Sequence, residues 1–404
     1  MDVERFLALD PPLPVRHKRK IPFLPRPVVS SEVGRRLIEI QELDQQLGLL
    51  IVPPADFRER VEDTVATNLF ESVRLEGNRL PLAEVRLASQ RSMEGRPASP
   101  EGPERREIVN HLAVWLLPEV LPLPWSAEAL RGLHRELLTR VDPRASPGEF
   151  RTTDVAVVND RNEEVFLTAP ARHVVEECGS LLAWVNEVGA SLHPVVAATL
   201  AFHEFESIHP FTEGNGRTGR VLFHIYLQNR GLPFAYRTRL ETELLRSSEA
   251  YYRVLRWTDY TADYAPLLDY FTQASVDAYR EAVHWFRGRS VAGSLDPTSY
   301  RLLAEAKSRQ DWFGLADARR WVSTLGDQSL RSYLNELVEG GLLESRGATR
   351  SKGYRFSDPF SAIRDRMVPL RRELGLSPMR QGASGGPRVI PVKPSRRRRA
   401  RAAS

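Results

Sequence analysis

H-P-F-T-E-G-N-G-R-T-G-R, residues His209 to Arg220, is the stretch on which the reading of this chain turns. Immediately before it, P-V-V-A-A-T-L-A-F-H-E-F-E-S-I (Pro194 to Ile208) is mainly apolar with a helical period. Pro210 cannot continue that helix, because its ring clashes with the preceding turn and it has no N–H to donate. After the glycines, R-T-G-R-V-L-F-H-I-Y-L-Q-N begins a second helix. The local geometry is therefore helix, tight loop, helix start. A Gly214-Asn215-Gly216 turn feeding a helix N-terminus aims several backbone N–H groups at one point, backed by the positive end of the helix dipole. Arg217 and Arg220 are three residues apart, so both guanidiniums lie on one face of the new helix and can clamp further phosphate oxygens. Glu213, at the rim, could hold a hard cation of the Mg²⁺ type, which takes one or two carboxylates together with substrate phosphates. A titratable histidine, His209, stands beside this polyphosphate and Mg²⁺ site.

The same string resembles the signature of the Fic (filamentation induced by cAMP) domain, H-P-F-x-[D/E]-G-N-G-R-x-x-R, and matches it at every fixed position. The resemblance implies transfer of a nucleotide monophosphate, usually AMP from ATP, onto a protein hydroxyl. In that picture His209 is the general base and Phe211 packs inward to anchor the loop. Glu213 positions Mg²⁺ on the phosphates. Gly214, Asn215 and Gly216 form the anion hole, and Arg217, Thr218, Gly219 and Arg220 complete the nucleotide site, the two arginines on the outer phosphates. The physics agrees, since phosphoryl-type transfer needs positioning and charge neutralisation more than covalent chemistry. A histidine near its unperturbed pKa suits a base at neutral pH.

Outward from the motif, composition sets the bounds. The chain has 404 residues, 42% hydrophobic and 27% charged, which gives room for two or three ordinary domains. Cys178 is the only cysteine, which excludes a disulfide framework and a multi-cysteine metal site. The first residues lack a basic region followed by an apolar run, so no signal peptide is read there. No apolar stretch approaches the roughly 20 residues needed to span a bilayer, and the expected location is cytoplasmic. The net charge of +5 is uneven: residues 380–404 carry eight basic and no acidic residues, and without those eight the remainder is −3.

N-terminal to the motif, residues 1–53 mix Pro-rich and basic pieces with one helical stretch near Glu32 to Leu49; the cluster Arg16 to Lys20 reads as a solvated arm, with contact to an acidic partner as the alternative. From Asp56 to Leu75, Phe57, Val61, Val65, Leu69 and Val73 recur every four residues, one apolar helix face, and Gly77 is a fitting stop. Ser72-Val-Arg-Leu-Glu76-Gly77 resembles the Fic inhibitory motif [S/T]-x-x-x-E-[G/N]. By that resemblance Glu76 pairs with Arg220 and removes the clamp for the γ-phosphate. A helix with Ser126 as N-cap follows a Pro-ended apolar helix between Glu107 and Trp125, and His134 reads as a packed core histidine. Two short β-rich runs flank the turn residues Asn159 to Asn162, a hairpin over residues 154–168. It resembles the Fic flap, which takes an extended segment of a target protein by strand addition. Beyond the motif, family members use an aromatic to contact the base; Tyr251 and Tyr252 are adjacent candidates, and Tyr252 is taken.

C-terminal to a linker near residues 288–296, three helices and a hairpin with a basic turn resemble a winged helix-turn-helix. Leu330, Leu334 and Leu337 face its core, and Arg331, Arg346, Arg350, Lys352 and Arg355 are candidates for phosphate contact on DNA. Glu336 and Glu339 on the third helix argue against a strongly DNA-facing surface. The tail from Gly382, with its R-R-R-R-A-R run, has the composition of disorder and would attract nucleic acid without sequence preference. The expected fold is mainly α: a Fic-type helical core with a small β-hairpin flap, plus a C-terminal winged helix-turn-helix domain. Its parts are an N-terminal extension with the inhibitory helix (1–109), the catalytic core (110–288), the winged helix (289–360) and the basic tail (361–404). The expected function is a protein adenylyltransferase using ATP and Mg²⁺, restrained by Glu76, with a protein substrate on the hairpin, no membrane partner, and DNA or a second copy of the chain left open as partners. The other readings are a nucleotide-sensing DNA-binding regulator, and an enzyme that removes AMP or transfers another nucleotide.

Overall fold

The structure, a computed structural model, describes residues 3–95, 102–117, 121–142, 146–159, 161–309, 311–348 and 352–373. The chain opens with a short α1 (Glu4–Leu7) and a two-residue strand β1 (Val15–Arg16), followed by α2 (Ser31–Leu49) and α3 (Pro54–Leu75). On α3 the four-residue apolar recurrence is fully realised, with Phe57, Val61, Val65, Leu69 and Val73 at most 4% exposed. Each such side chain contributes about 1.5–3 kcal/mol of burial. The helix stops in a Schellman motif: Gly77 N–H donates to the Arg74 carbonyl (3.0 Å) and Asn78 N–H to that of Val73 (3.1 Å), with Gly77 at φ 92°.

Next come α4 (Leu82–Met93), α5 (Pro103–Trp115) and α6 (Ala127–Leu138), the last capped by the Ser126 hydroxyl accepting from Ala129 N–H at 3.1 Å. Pro103 sits at the first turn of α5, so this helix begins before Glu107 and runs through the expected boundary at residues 109 and 110. The extension and the core are continuous at that point. The hairpin is β2 (Ala156–Val158) and β3 (Glu164–Leu167), antiparallel, with Val157 opposite Phe166.

The arm around residues 15–20 is anchored rather than free, although Arg16, Lys18 and Arg19 stay exposed as expected. β1 adds to β3 in parallel, Val15 opposite Phe166, and the sheet order is β1-β3-β2. His17 is buried; its ring contacts the Ser207 hydroxyl at 2.7 Å and a Glu177 carboxylate oxygen at 2.5 Å. Lys20 donates to Glu204 at 2.5 Å, and Arg19 pairs with Glu176. His17, Glu177 and Glu204 place ligand-type atoms within 4.8 Å of one another, but the Lys20 ammonium already supplies the cation there. Buried acidic partners on the helices that follow, invisible in the arm's own sequence, draw it in.

Four helices carry the centre: α7 (Val174–Glu187), α8 (Pro194–Ile208), α9 (Asn215–Asn229) and, after α10 (Leu240–Leu244) and α11 (Ser248–Thr261), the long α12 (Ala265–Gly288). α8 is apolar nearly all round and accordingly buried on all sides, against α7, α9 and α12. A second, separate core is formed by α13 (Pro297–Arg309), α14 (Leu315–Trp321), α15 (Asp327–Glu339) and the hairpin β4 (Leu343–Arg346) and β5 (Gly353–Phe356). Leu330, Leu334 and Leu337 of α15 line it as expected.

α16 (Pro359–Glu373) corrects the expected start of the tail at residue 361. Phe360, Ile363 and Met367 are buried in the first core, Phe360 stacking on Tyr236 at 4.0 Å, and Arg371 forms a bidentate pair with Glu136 (2.9 and 2.8 Å). Arg350 and the basic run beyond residue 373 lie outside the described residues. Among the described residues, no helix is long and apolar enough to cross a membrane.

Candidate active site

α8 delivers His209 as its C-cap in the left-handed conformation (φ 54°, ψ 61°), with its N–H on the Phe205 carbonyl at 2.9 Å. A left-handed non-glycine residue is strained, and here the surroundings over-determine it. Arg151 Nε donates to the His209 carbonyl at 2.7 Å, and Arg151 N–H to that of Pro210 at 3.0 Å. The loop is then pinned from inside. Phe211 is fully buried and stacks on His134, ring centroids 3.7 Å apart and planes 2° from parallel. His134 accepts from Gly148 N–H at Nδ1 (2.8 Å) and donates from Nε2 to the Glu213 carbonyl (2.9 Å). That pattern fixes the neutral tautomer, and burial pushes its pKa down to about 4. The core histidine expected at residue 134 is thus also the bracket of the loop.

Asn215 closes the loop on itself. Its side-chain oxygen accepts from Phe211 N–H (2.9 Å) and its amide donates to the Phe211 carbonyl (2.8 Å). The Asn215 side chain is therefore engaged in closing the loop, and the backbone N–H groups of the helix start face outward to serve an anion. The first helical bond of α9 runs from Thr218 N–H to the Gly214 carbonyl (3.0 Å), so the N–H groups of residues 215–217 precede it and have no helix carbonyl to meet. Gly214 must be glycine on two counts: its φ is 78°, and a Cβ would stand 2.9 Å from Leu138.

The two remaining glycines of the motif each face a carboxylate. A Cβ on Gly216 would lie 2.3 Å from Glu76 Oε1, and one on Gly219 2.5 Å from Glu206 Oε1. Arg220 is held by Ser72 through Nε to the hydroxyl (2.8 Å) and Nη2 to the carbonyl (2.9 Å), and by Glu76 Oε1 at 2.9 Å. Burial opposes the charge on both partners, yet their mutual attraction prevails: Glu76 is lowered and Arg220 raised from their ordinary values. Arg217, expected on the phosphates, is paired with Glu107 of α5. Its Nε and the Thr218 hydroxyl are buried without a partner, donors left over beside the loop. Glu213 is exposed with its carbonyl fixed by His134, and an exposed carboxylate next to anion-seeking N–H groups fits a hard cation shared with phosphate. Of the two tyrosines, Tyr251 is 2% exposed while Tyr252 is only partly buried, its ring edge-on to Tyr251 at 5.2 Å. Both tyrosines lie near Arg220, so Tyr252 differs from Tyr251 here only in being less buried.

Two features correct or extend the sequence reading. His209 does not keep an ordinary pKa: burial pushes it down to about 4, so the imidazole is neutral at pH 7. Its Nδ1 faces the Glu206 carbonyl at 3.3 Å; a carbonyl only accepts, so the proton sits on Nδ1 and Nε2 keeps the lone pair. Glu206 itself is new to the site. Burial raises its pKa to about 8, with Arg220 opposing and Glu76 adding to the rise, and Oε1 lacks a partner. A carboxyl kept protonated in the fold but ionised in the unfolded chain makes stability fall as pH rises from about 4.5 to about 8. Glu206→Gln, which cannot ionise, is therefore expected to be more stable than the parent by about 1–3 kcal/mol at pH 7, with no gain at pH 4. Urea melts at the two pH values check this; an equal difference at both would show that Glu206 is not held protonated.

With this geometry in place, the chain can be set beside known proteins. Residues 124–227 match the sequence profile of the Fic/DOC family. A "Protein adenylyltransferase Fic" from Drosophila grimshawi is 32% identical over 219 residues, 51% of this chain and 42% of that protein. "Protein adenylyltransferase fic-1" from Caenorhabditis briggsae is 26% identical over 281 residues, 66% of this chain and 51% of that protein. The aligned part thus spans only about half, or less, of these relatives' own length. In fold, the chain is similar to a crystal structure of a Fic family protein from Desulfovibrio desulfuricans G20, with a TM-score of 0.54 and 24% identity over 83% of this chain and 98% of that one. It is also similar to Fic-1 from C. elegans, TM-score 0.50 and 21% identity, over 65% and 75% of the two chains. The profile covers α6, both strands of the hairpin, α8 and the whole phosphate loop, and it is this segment of the chain that is similar to the Fic/DOC family.

Proposed function

We propose that the chain is a protein adenylyltransferase that moves AMP from ATP to a hydroxyl side chain of a protein, and that Glu76 restrains it. The observation that carries this reading is the anion-seeking loop with a neutral histidine at one end and, at the other, an arginine turned away by a carboxylate. In the reaction, the target oxygen attacks the α-phosphorus and the bond from that phosphorus to the β-phosphate bridge oxygen breaks. Pyrophosphate leaves, and the hydroxyl proton passes to Nε2 of His209. The N–H groups of residues 215–217 face charge that builds on the phosphates. Glu213 would hold Mg²⁺, whose chemistry there is charge neutralisation. Arg220, once released by Glu76, takes the γ-phosphate, with Tyr252 near the base.

The protein substrate meets the hairpin. β1 already occupies one side of β3 and is itself only two residues long, so the added strand is placed along β2, the other edge of the sheet, where Val158 is 48% exposed. For the C-terminal unit the order of three helices and a hairpin supports a winged-helix reading. Its basic residues stay at the surface while meeting neighbours there: Arg346 over Trp312 at 4.2 Å, Lys352 on Asn335 at 2.8 Å and Arg355 on Glu344 at 2.7 Å. That surface suits either DNA or a second copy of the chain as partner. The transfer reading is tested by labelling with α- and γ-labelled ATP in Mg²⁺. Label on protein from the α position only is expected; label from the γ position only, or none from any nucleoside triphosphate with Glu76→Gly, would overturn it.

A further inference from the structure

Two carboxylates hold the arginine pair of α9. Glu76 meets Arg220, while Glu107, on the first half of α5, meets Arg217 Nη1 through Oε1. The two differ in exposure, with 23% of the Glu76 side chain open to solvent and 6% of Glu107. Glu107 is also held from behind. Its Oε2 accepts from the Asn78 amide at 2.6 Å, and the same amide reaches the Glu104 carbonyl at 3.2 Å. Asn78 oxygen in turn accepts from Leu80 N–H at 3.0 Å. Asn78 belongs to the turn that ends α3, two residues after Glu76, and is itself buried. One turn, Glu76-Gly77-Asn78, therefore touches both arginines, the first directly and the second through Glu107.

The chemistry separates the two carboxylates. Glu76 can swing into solvent without stranding itself. Glu107 is only 6% exposed and is held from behind by Asn78, and Arg217 has, among the described residues, no counterpart of the two Ser72 bonds that hold Arg220 when Glu76 leaves. A guanidinium has five donors in a rigid fork, and a carboxylate fixed on one side aims the rest. Arg217 Nε is buried without a partner, so donors remain after the pair with Glu107 is made. We propose that Glu107 is a positioning residue for the phosphate clamp: it stays in place when Glu76 leaves and orients Arg217 toward the outer phosphates of the nucleotide, with Asn78 fixing Glu107. This rests on the nucleotide-transfer reading above.

The test is calorimetric binding of ATP and of AMP, which lacks the outer phosphates, to full-length Glu76→Gly and to the same protein with Glu107→Ala, Glu107→Gln or Asn78→Ala. Glu107→Ala is expected to weaken ATP about tenfold or more while changing AMP less than about twofold. Glu107→Gln keeps the volume and an acceptor, and should recover ATP affinity to within about threefold of the Glu76→Gly parent. Asn78→Ala should fall between, and it decides the matter if Glu107→Ala does not fold. Equal losses for ATP and AMP would reduce Glu107 to a structural role, and tighter ATP binding would make it a competitor of phosphate; either overturns the proposal. If the Glu76→Gly parent binds neither nucleotide, the reading of the loop fails first, a result visible before Glu107 is touched.

Discussion

Glu76→Gly is expected to raise AMP incorporation about 10- to 100-fold over the parent chain, seen as one added AMP in the intact mass after incubation with ATP and Mg²⁺. The size follows from what the carboxylate does. It sits 2.9 Å from an Arg220 nitrogen and would stand against the γ-phosphate's negative charge on the same guanidinium. At an effective dielectric near 20, a unit charge about 4 Å away is worth about 4 kcal/mol, and each 1.4 kcal/mol is tenfold, so even a third of that is enough. Arg220 does not collapse when Glu76 goes, because both bonds to Ser72 remain, at 2.8 and 2.9 Å. The Schellman turn persists too, since its bonds are backbone bonds from Gly77 and Asn78. Arg220 is only 3% exposed, so losing its partner costs stability, up to about 3–5 kcal/mol, offset in part by the two Ser72 bonds. If Glu76→Gly labels no faster than the parent, the carboxylate is not the restraint.

The motif was legible because its chemistry is local. A Pro after the helix end, a glycine turn and two arginines three apart need no distant residue to be understood, and the structure puts them where the spacing does. The face of α3 and the cap at Ser126 were legible for the same reason. What escaped depends on partners far along the chain. Glu107 lies 110 residues from Arg217, at the polar start of a helix that the apolar run beyond it marks, and nothing in P-E-R-R-E-I points to so distant a partner. β1 is two residues between prolines, too short for any alternation, and is a strand only because β3 offers an edge. Glu206 sits in an apolar helix three residues before His209, and a carboxylate in that apolar run was its one visible signal. In α16, Phe360, Ile363 and Met367 do keep helical spacing, but Pro369 and the basic run beyond obscured it.

His209→Ala, placed in the Glu76→Gly background, is expected to cut AMP transfer by about 10²–10⁴ while leaving ATP binding within about threefold, the usual range for losing a positioned base. The separation is expected because the loop does not lean on the imidazole. Phe211 on His134, Asn215 on Phe211 and Arg151 on the backbone carbonyl of residue 209 hold it, and the last of these is a bond that alanine retains. The φ of 54° at this position strains alanine as it strains histidine, a modest cost to stability of about 1 kcal/mol. The pH profile distinguishes this site from an ordinary exposed histidine. With its pKa pushed down to about 4 by burial, His209 is neutral and able to accept a proton at every pH above about 5, so the rate should be flat from pH 6 to 8 and fall only as pH drops through about 4 to 5. An inflection near 6.5 would mean that the ring is solvated when it acts. Loss of ATP binding together with transfer would mean that His209 builds the loop rather than taking the proton.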